Sequence, residues 1–178
     1  MKQIFSLLVI LSAFQGLAQV GLNNAVVVGL MDKPEDRYSL EINVTELFTS
    51  NGIKAIPSLN LMKLGGSPEI LGSDSIVNVL KSKGIDTYVL VYVKGFDKKI
   101  KAKSNKDDLM TVLNIGSLFP LYREEATNAT FEFLFYRNNT MVLSEVIRCK
   151  NIGNRDDVIK KMRKSVVKKI EKSWKKTK

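Results

Sequence analysis

The segment Thr87 to Val93 (TYVLVYV) constrains this chain more than any other. It strings β-branched, aromatic and leucine side chains together without a charge, so it reads as a central strand. A second run, Ala25-Val26-Val27-Val28-Gly29-Leu30, has the same character. Strands without a polar face belong to parallel sheets covered by helices on both sides. Val27, Val89 and Val91 are therefore expected to be almost fully buried, in adjacent parallel strands.

The residues between these runs read as crossover helices. Leu40, Val44, Leu47 and Phe48 recur at helical spacing, which predicts an amphipathic helix over Asp36 to Ser50. Ile53 to Ser58 is a strand candidate. Leu61 to Pro68, with Gly65, Gly66 and Pro68, reads as a loop. Ser73 is placed to cap a short helix in which Ile76, Val79 and Leu80 share a face. Ser50-Asn51-Gly52-Ile53 and Ser82-Lys83-Gly84-Ile85 repeat one pattern. In each, a glycine takes the left-handed conformation after a helix and the next isoleucine closes over its last turn.

After Val93 the character changes. Lys94 to Lys106 is polar and rich in lysine. Phe131, Phe133 and Phe135 alternate with Glu132, Leu134 and Tyr136, Arg137 to Thr140 reads as a turn, and Met141 to Cys149 returns as an antiparallel partner. Asn154 opens a last helix with Asp156 and Asp157 in its first turn, where acids complement the dipole. On that helix Val158, Ile159, Met162, Val166, Val167, Ile170 and Trp174 share one side. Lys160, Lys161, Lys164, Lys168, Lys172, Lys175 and Lys176 share the other. Arg163 and Lys169 break the pattern and are expected to snorkel.

The expected fold is α/β with an α+β tail. It is a mixed sheet of about five strands in the element order β-α-β-α-β-β-β-α. The first half is parallel, an antiparallel hairpin follows, and a basic C-terminal helix closes the sheet. The stretch AVVVGLMDKPEDRYSLEINVTELFTSNGIKAIPS, followed by GIDTYVLVYV, resembles bacterial envelope proteins of the TolB amino-terminal and CsgG-like class, with Gly52, Ile53, Gly84, Ile85 and Asp86 as the matching residues. The resemblance implies a small α/β module that binds or scaffolds other envelope components without catalysis. Such proteins are often lipoproteins, and this chain has no cysteine near its start to carry a lipid.

The N-terminus reads as an address. Lys2 is followed by the apolar run Ile4 to Phe14, and Gly16 and Ala18 are the small residues before a cleavage between Ala18 and Gln19. That run is too short to cross a bilayer core of about 30 Å. Residues 1–18 are thus expected to be a signal peptide and 19–178 a single α/β domain, periplasmic or extracellular, without a transmembrane helix after cleavage.

Histidine is absent and Cys149 is the single cysteine. These facts exclude Ser-His-Asp and Cys-His catalysis, histidine-ligated zinc and a disulfide framework. Cys149 is expected to be a buried structural thiol. The acid pairs Asp107-Asp108, Glu124-Glu125 and Asp156-Asp157 are neighbours in sequence, and neighbours on a helix or strand point apart rather than converge as acid and base. Gly65-Gly66 lacks the Gly-Lys-Ser/Thr of a phosphate loop. Asn43, Asn128 and Asn138 open N-glycosylation sequons, read as chance in a bacterial chain. Asp74-Ser75-Ile76 resembles an O-glycosylation site, but reads first as a helix start.

The net charge of +10 is concentrated. Arg155 to Lys178 holds 11 basic and 3 acidic residues, and Lys94 to Lys106 holds 6 lysines and one acid. The candidate surface for an anion or a partner is Lys160, Lys164, Lys168, Lys172 and Lys175, with Lys98, Lys99, Lys101 and Lys103. The leading expectation is an exported, non-enzymatic binding or scaffolding module of the bacterial cell envelope whose partner is another envelope protein. The alternative is an adaptor for anionic lipid or lipopolysaccharide through the terminal helix. An enzyme without histidine or metal is the third. No cofactor is expected, and nucleic acid is disfavoured because no aromatics interleave with the lysines.

Overall fold

A computed structural model describes residues 20–62, 66–96, 108–115, 121–124 and 126–175. Strand β1 (Asn24–Gly29) leads to helix α1 (Pro34–Ser50) and strand β2 (Lys54–Pro57). Helix α2 (Asp74–Ser82) leads to β3 (Thr87–Phe96). A short helix α3 (Leu109–Ile115) precedes the hairpin of β4 (Asn128–Arg137) and β5 (Thr140–Lys150), and α4 (Arg155–Lys169) closes the chain. The five strands lie in the order β2-β1-β3-β4-β5. β1 runs parallel to both β2 and β3, and the pairs β3/β4 and β4/β5 are antiparallel. The mixed sheet with its parallel first half is the expected one. Val27 pairs with Val89 and Gly29 with Val91, and all three valines are fully buried.

Several boundaries move for physical reasons. α1 begins at Pro34 rather than Asp36, because proline suits the first helical position, where its missing N–H is not needed. β2 is shorter than Ile53 to Ser58. The Ile53 N–H is spent on Phe48 O at 2.9 Å, closing the helix end, and Ser58 starts a tight 3-10 turn. Ile85 N donates to Leu80 O in the same way, and Gly52 (φ +75) and Gly84 (φ +67) are left-handed as the repeat requires. Two 3-10 turns, Ser58–Asn60 and Pro68–Gly72, and α3 were not foreseen. α2 also sits differently: Leu80 is buried but Val79 is 38% exposed, so Val79 does not share its buried face. Asn138 and Asn139 both take positive φ (46° and 61°), the two-residue hairpin geometry that matches strand twist.

The sheet separates two cores. On its phenylalanine face, Phe131, Phe133 and Phe135 meet α1 through Leu40, Val44 and Phe48, and meet α4 through Val158, Met162 and Val166. On its tyrosine face, Tyr88, Leu90, Leu134 and Tyr136 meet Leu71, Leu80, Leu109, Val112 and Leu113. The start of the described chain is tied to its end: Leu22 N donates to Trp174 O at 2.7 Å, and Arg137 donates to Val20 O and Gly21 O.

Candidate functional site

α4 places the candidate lysines. Asn154 caps it, its side chain accepting from Asp157 N at 2.8 Å, with Asp156 and Asp157 in the first turn. Val158, Met162, Val166, Ile170 and Trp174 form an inward row and are all fully buried. Steps of four overshoot a helical turn by about 40°, so such a row drifts around the helix. A wider turn over Ile170–Trp174, in which Lys175 N bonds Ile170 O at 3.1 Å, rotates the row back. Trp174 thereby stays in the core, its ring 4.9 Å from Phe135, 5.3 Å from Phe133 and 6.2 Å from Phe48.

Lys160, Lys164, Lys168 and Lys172 repeat the same steps on the outer side. All four are exposed and none is ion-paired among the described residues. Lys175 is exposed too, with its ammonium 2.5 Å from Asn51 O. The two residues expected to snorkel instead fasten the helix sideways. Arg163 bonds Glu46 and Asn43 of α1 at 2.8 Å each, and Lys169 pairs with Glu145 of β5 at 2.8 Å. Arg163 holds the Glu46 carboxyl below the usual carboxylate range, by its hydrogen bond first and its charge second. Lys161 is likewise turned aside, donating to Lys150 O at 2.9 Å. Lys98, Lys99, Lys101 and Lys103 lie outside the described residues, as do Ala18 and Gln19.

Two buried ionic clusters carry chemistry that the sequence reading missed. Glu41 is fully buried on α1 and accepts from Gly29 N (2.9 Å), Arg37 Nε (2.9 Å), Ser58 Oγ (2.6 Å) and Leu59 N (3.1 Å). A Cβ on Gly29 would stand 3.3 Å from Glu41 Cγ, so a larger residue here would have to push the Glu41 side chain aside. The cluster floors a cleft of about 240 Å³ lined by Met31, Asp32, Pro34, Leu59 and Ser67, outside the carboxyl end of β1. Connections from neighbouring parallel strands diverge there, the usual place for a ligand in such sheets. The Arg37 guanidinium is nevertheless engaged with Glu41, Ser58 and Gly66 O, so it anchors the loops. The second cluster centres on Glu132 of β4, also fully buried, which binds the Lys94 ammonium at 2.7 Å, Ser144 Oγ at 2.9 Å and the Tyr92 hydroxyl. One signal was present in the sequence: Arg37 and Glu41 stand in the row that buries Leu40 and Val44, and Glu132 interrupts a phenylalanine alternation.

The remaining candidates fall in place as structural residues. Cys149 is buried, and burial pushes its thiol up to about 12. Asn43 sits in α1 with both ends of its amide bonded, to Ser39 O and Arg163. Asn128 opens β4, Asn138 is a turn residue, and Ser75 lies exposed in the first turn of α2. Of the acid pairs, Asp107 and Glu125 lie outside the described residues, and Asp156 and Asp157 occupy the start of α4. An apolar groove of about 330 Å³ runs between α2, α3 and the hairpin turn, lined by Leu80, Ile85, Tyr88, Leu109 and Met110. Among the described residues no helix is long and apolar enough to cross a membrane, and no three His, Cys, Asp or Glu side chains are grouped to hold a metal.

No family model matches the chain, for the TolB amino-terminal and CsgG-like class or any other, and no curated protein matches it. Solved structures do. A PelC dodecamer from Paraburkholderia phytofirmans aligns at 12% identity and a TM-score of 0.45, over 85% of this chain and 89% of that chain. Lipoprotein GNA1162 from Neisseria meningitidis aligns at 10% identity and a TM-score of 0.41, over 85% of this chain and 98% of that chain.

Proposed function

We propose that this protein is an exported binding module of the bacterial cell envelope that acts by contact, without catalysis, and that its partner is another envelope protein with an acidic face. The row Lys160, Lys164, Lys168 and Lys172 carries the reading: four exposed ammonium groups held in register by a helix whose other side is locked in the core. A charged row on a rigid element steers and orients an oppositely charged partner. The leader grammar of Lys2, Ile4 to Phe14, Gly16 and Ala18 supports export. The two buried ionic clusters support contact over chemistry, because their carboxylates are engaged inside the fold.

Amine-reactive crosslinking in cells, followed by recovery of the protein from envelope fractions and mass spectrometry, tests this reading. The mature species is expected to start at Gln19, with crosslinks from the α4 lysines to one predominant envelope protein. Reversal of Lys160, Lys164 and Lys168 to glutamate is expected to abolish them. A mature species that retains residues 1–18, or crosslinks that avoid α4, would overturn it. A second reading, an adaptor for anionic lipid or lipopolysaccharide, is favoured by the lysine density from Arg155 to Lys178, with 11 basic residues against 3 acidic.

A further inference from the structure

The charges that decide how the molecule would face an anionic surface are not all on α4. α1, α2 and α4 end at the same edge of the sheet, the one that holds the amino ends of β1, β2 and β3. Lys175 reaches Asn51 O beyond the end of α1, Lys54 opens β2, and the Lys54 ammonium reaches Lys83 O beyond the end of α2, both contacts at 2.5 Å. Lys54, Lys81, Lys83, Lys172 and Lys175 thus form a continuous exposed rim. Arg137 and Asp86, 3.7 Å apart, offset one another there. Asp108, next to Asn139 of the hairpin turn, and Glu171 are the opposing acids, so the rim keeps an excess of three positive charges. The C-termini of the three helices subtract roughly half a charge each, which leaves the rim positive. Among the described residues the opposite edge carries Asp32, Glu35, Asp36, Glu124, Asp156 and Asp157, against Lys33, Arg123, Arg148, Lys150 and Arg155. Among the described residues the amino edge of the parallel strands therefore carries the larger positive excess.

The composition of this pole selects its partner. Protein interfaces centre on aromatic and arginine side chains and are depleted in lysine. Here Ile53, Ile85 and Trp174 are turned inward, and the exposed residues between the lysines are Thr49, Ser50, Gly52, Ser82 and Gly84. Lysine is a compact point charge without the planar fork that fixes one partner geometry. A rim of lysines among small polar residues fits a diffuse layer of negative headgroups. We propose that this pole docks on an anionic phospholipid bilayer, with the strands standing away from the surface and the carboxyl ends of β1, β2 and β3 pointing outward. The proposal rests on the second reading above and adds to it the orientation and the lysines outside α4. The described chain both enters, at Val20, and leaves, at Lys175, on this pole.

Flotation of the exported protein with vesicles of phosphatidylglycerol and phosphatidylcholine, against phosphatidylcholine alone, is the test. Two variants carry equal charge changes. Lys83→Glu with Lys172→Glu alters the pole, and Lys160→Glu with Lys164→Glu alters α4 about 12 Å further up, at 1.5 Å per residue. That exceeds the screening length of about 8 Å at physiological salt. Among the described residues none of these four side chains holds another part of the fold, and a retained melting temperature confirms that each variant is folded. The expected result is salt-sensitive binding to the anionic vesicles only, weakened at least about tenfold in the pole variant, since each lysine near such a surface is worth roughly fivefold. The α4 variant is expected to lose less than about threefold. Equal losses in the two variants, no binding to the anionic vesicles at low salt, or binding to lipopolysaccharide micelles alone would each overturn the proposal. If α4 crosslinks to an envelope protein persist without vesicle binding, this orientation fails while the proposed function stands.

Discussion

The two faces of the sheet solve the same problem with different means. The phenylalanine face is closed by two long helices, and one buried cluster runs unbroken from Leu22 to Trp174. The tyrosine face is closed by the nine-residue α2, the seven-residue α3 and a 3-10 turn, which leave Ile70, Val79 and Met110 exposed. It also holds Glu132 with Lys94, Tyr92 and Ser144, an ionic cluster where the other face is aromatic. Long helices bury a continuous stripe, and the buried ion pair that α1 carries, Arg37 with Glu41, lies beyond the strand ends at its first turns. Short ones cover the sheet in patches, and the polar residues between the patches have to find each other.

Substitutions on either side can break this contrast. Trp174→Ala should have the largest effect, about 3–5 kcal/mol by chemical denaturation, because three phenylalanine rings lose their partner at once. On the tyrosine face, Lys94→Met should cost about 3 kcal/mol, near the low end for breaking a buried pair, as Lys94 keeps 18% of its surface exposed. Adding Glu132→Leu should recover most of that loss, and no recovery would show that the cluster is not an ionic unit. Leu80→Ala should cost about 2 kcal/mol, because the groove beside α2 lets the site relax. A cost above that of Trp174→Ala would reverse the ranking of the faces.

Alkaline titration sharpens the comparison further. Burial raises Cys149, on the phenylalanine face, from 9.0 to about 12, and Tyr88, on the other, from 10.0 to about 12. Both groups are held neutral by the fold and ionise more easily in the unfolded chain. Their contribution is therefore complete below the unfolded value and is lost as pH rises towards the folded one. Stability should decline from about pH 9 upward, and Cys149→Ala should flatten the onset of the decline before Tyr88→Phe does. The smallest effect should come from reversing Lys160, Lys164 and Lys168 to glutamate, within about 0.5 kcal/mol per site. A larger loss would mean that the lysine row helps to hold the fold.

The contrast also explains what could be read in advance. α1, α4, β1, β3 and the hairpin announce themselves because their apolar residues repeat at one period for several turns or pleats. The inward row of α4, and the exposed lysines opposite it, followed from spacing alone. Leu109 to Ile115 makes less than two full turns, too short for a period to show beside a lysine-rich segment. Val79 was misplaced because Ile76, Val77, Val79 and Leu80 form one broad apolar arc, and the docking of Leu80 leaves Val79 at the exposed edge of it. Glu132 and Lys94 are 38 positions apart, and only the register of β3 against β4 brings them together. The rim of lysines was invisible for the same reason, since Lys54 and Lys83 meet only once the helices they follow have been laid on opposite faces.

The tie between Leu22 and Trp174 fixes a moment in time as well as a place. A ribosome delivers the chain from its amino end, and Trp174 appears 152 residues after the Leu22 it bonds. Until it arrives, Phe48, Phe133 and Phe135 lack their central contact, and Leu22 has no carbonyl to bond. Any nascent length that stops short of Trp174 lacks this contact, so native closure waits for residue 174.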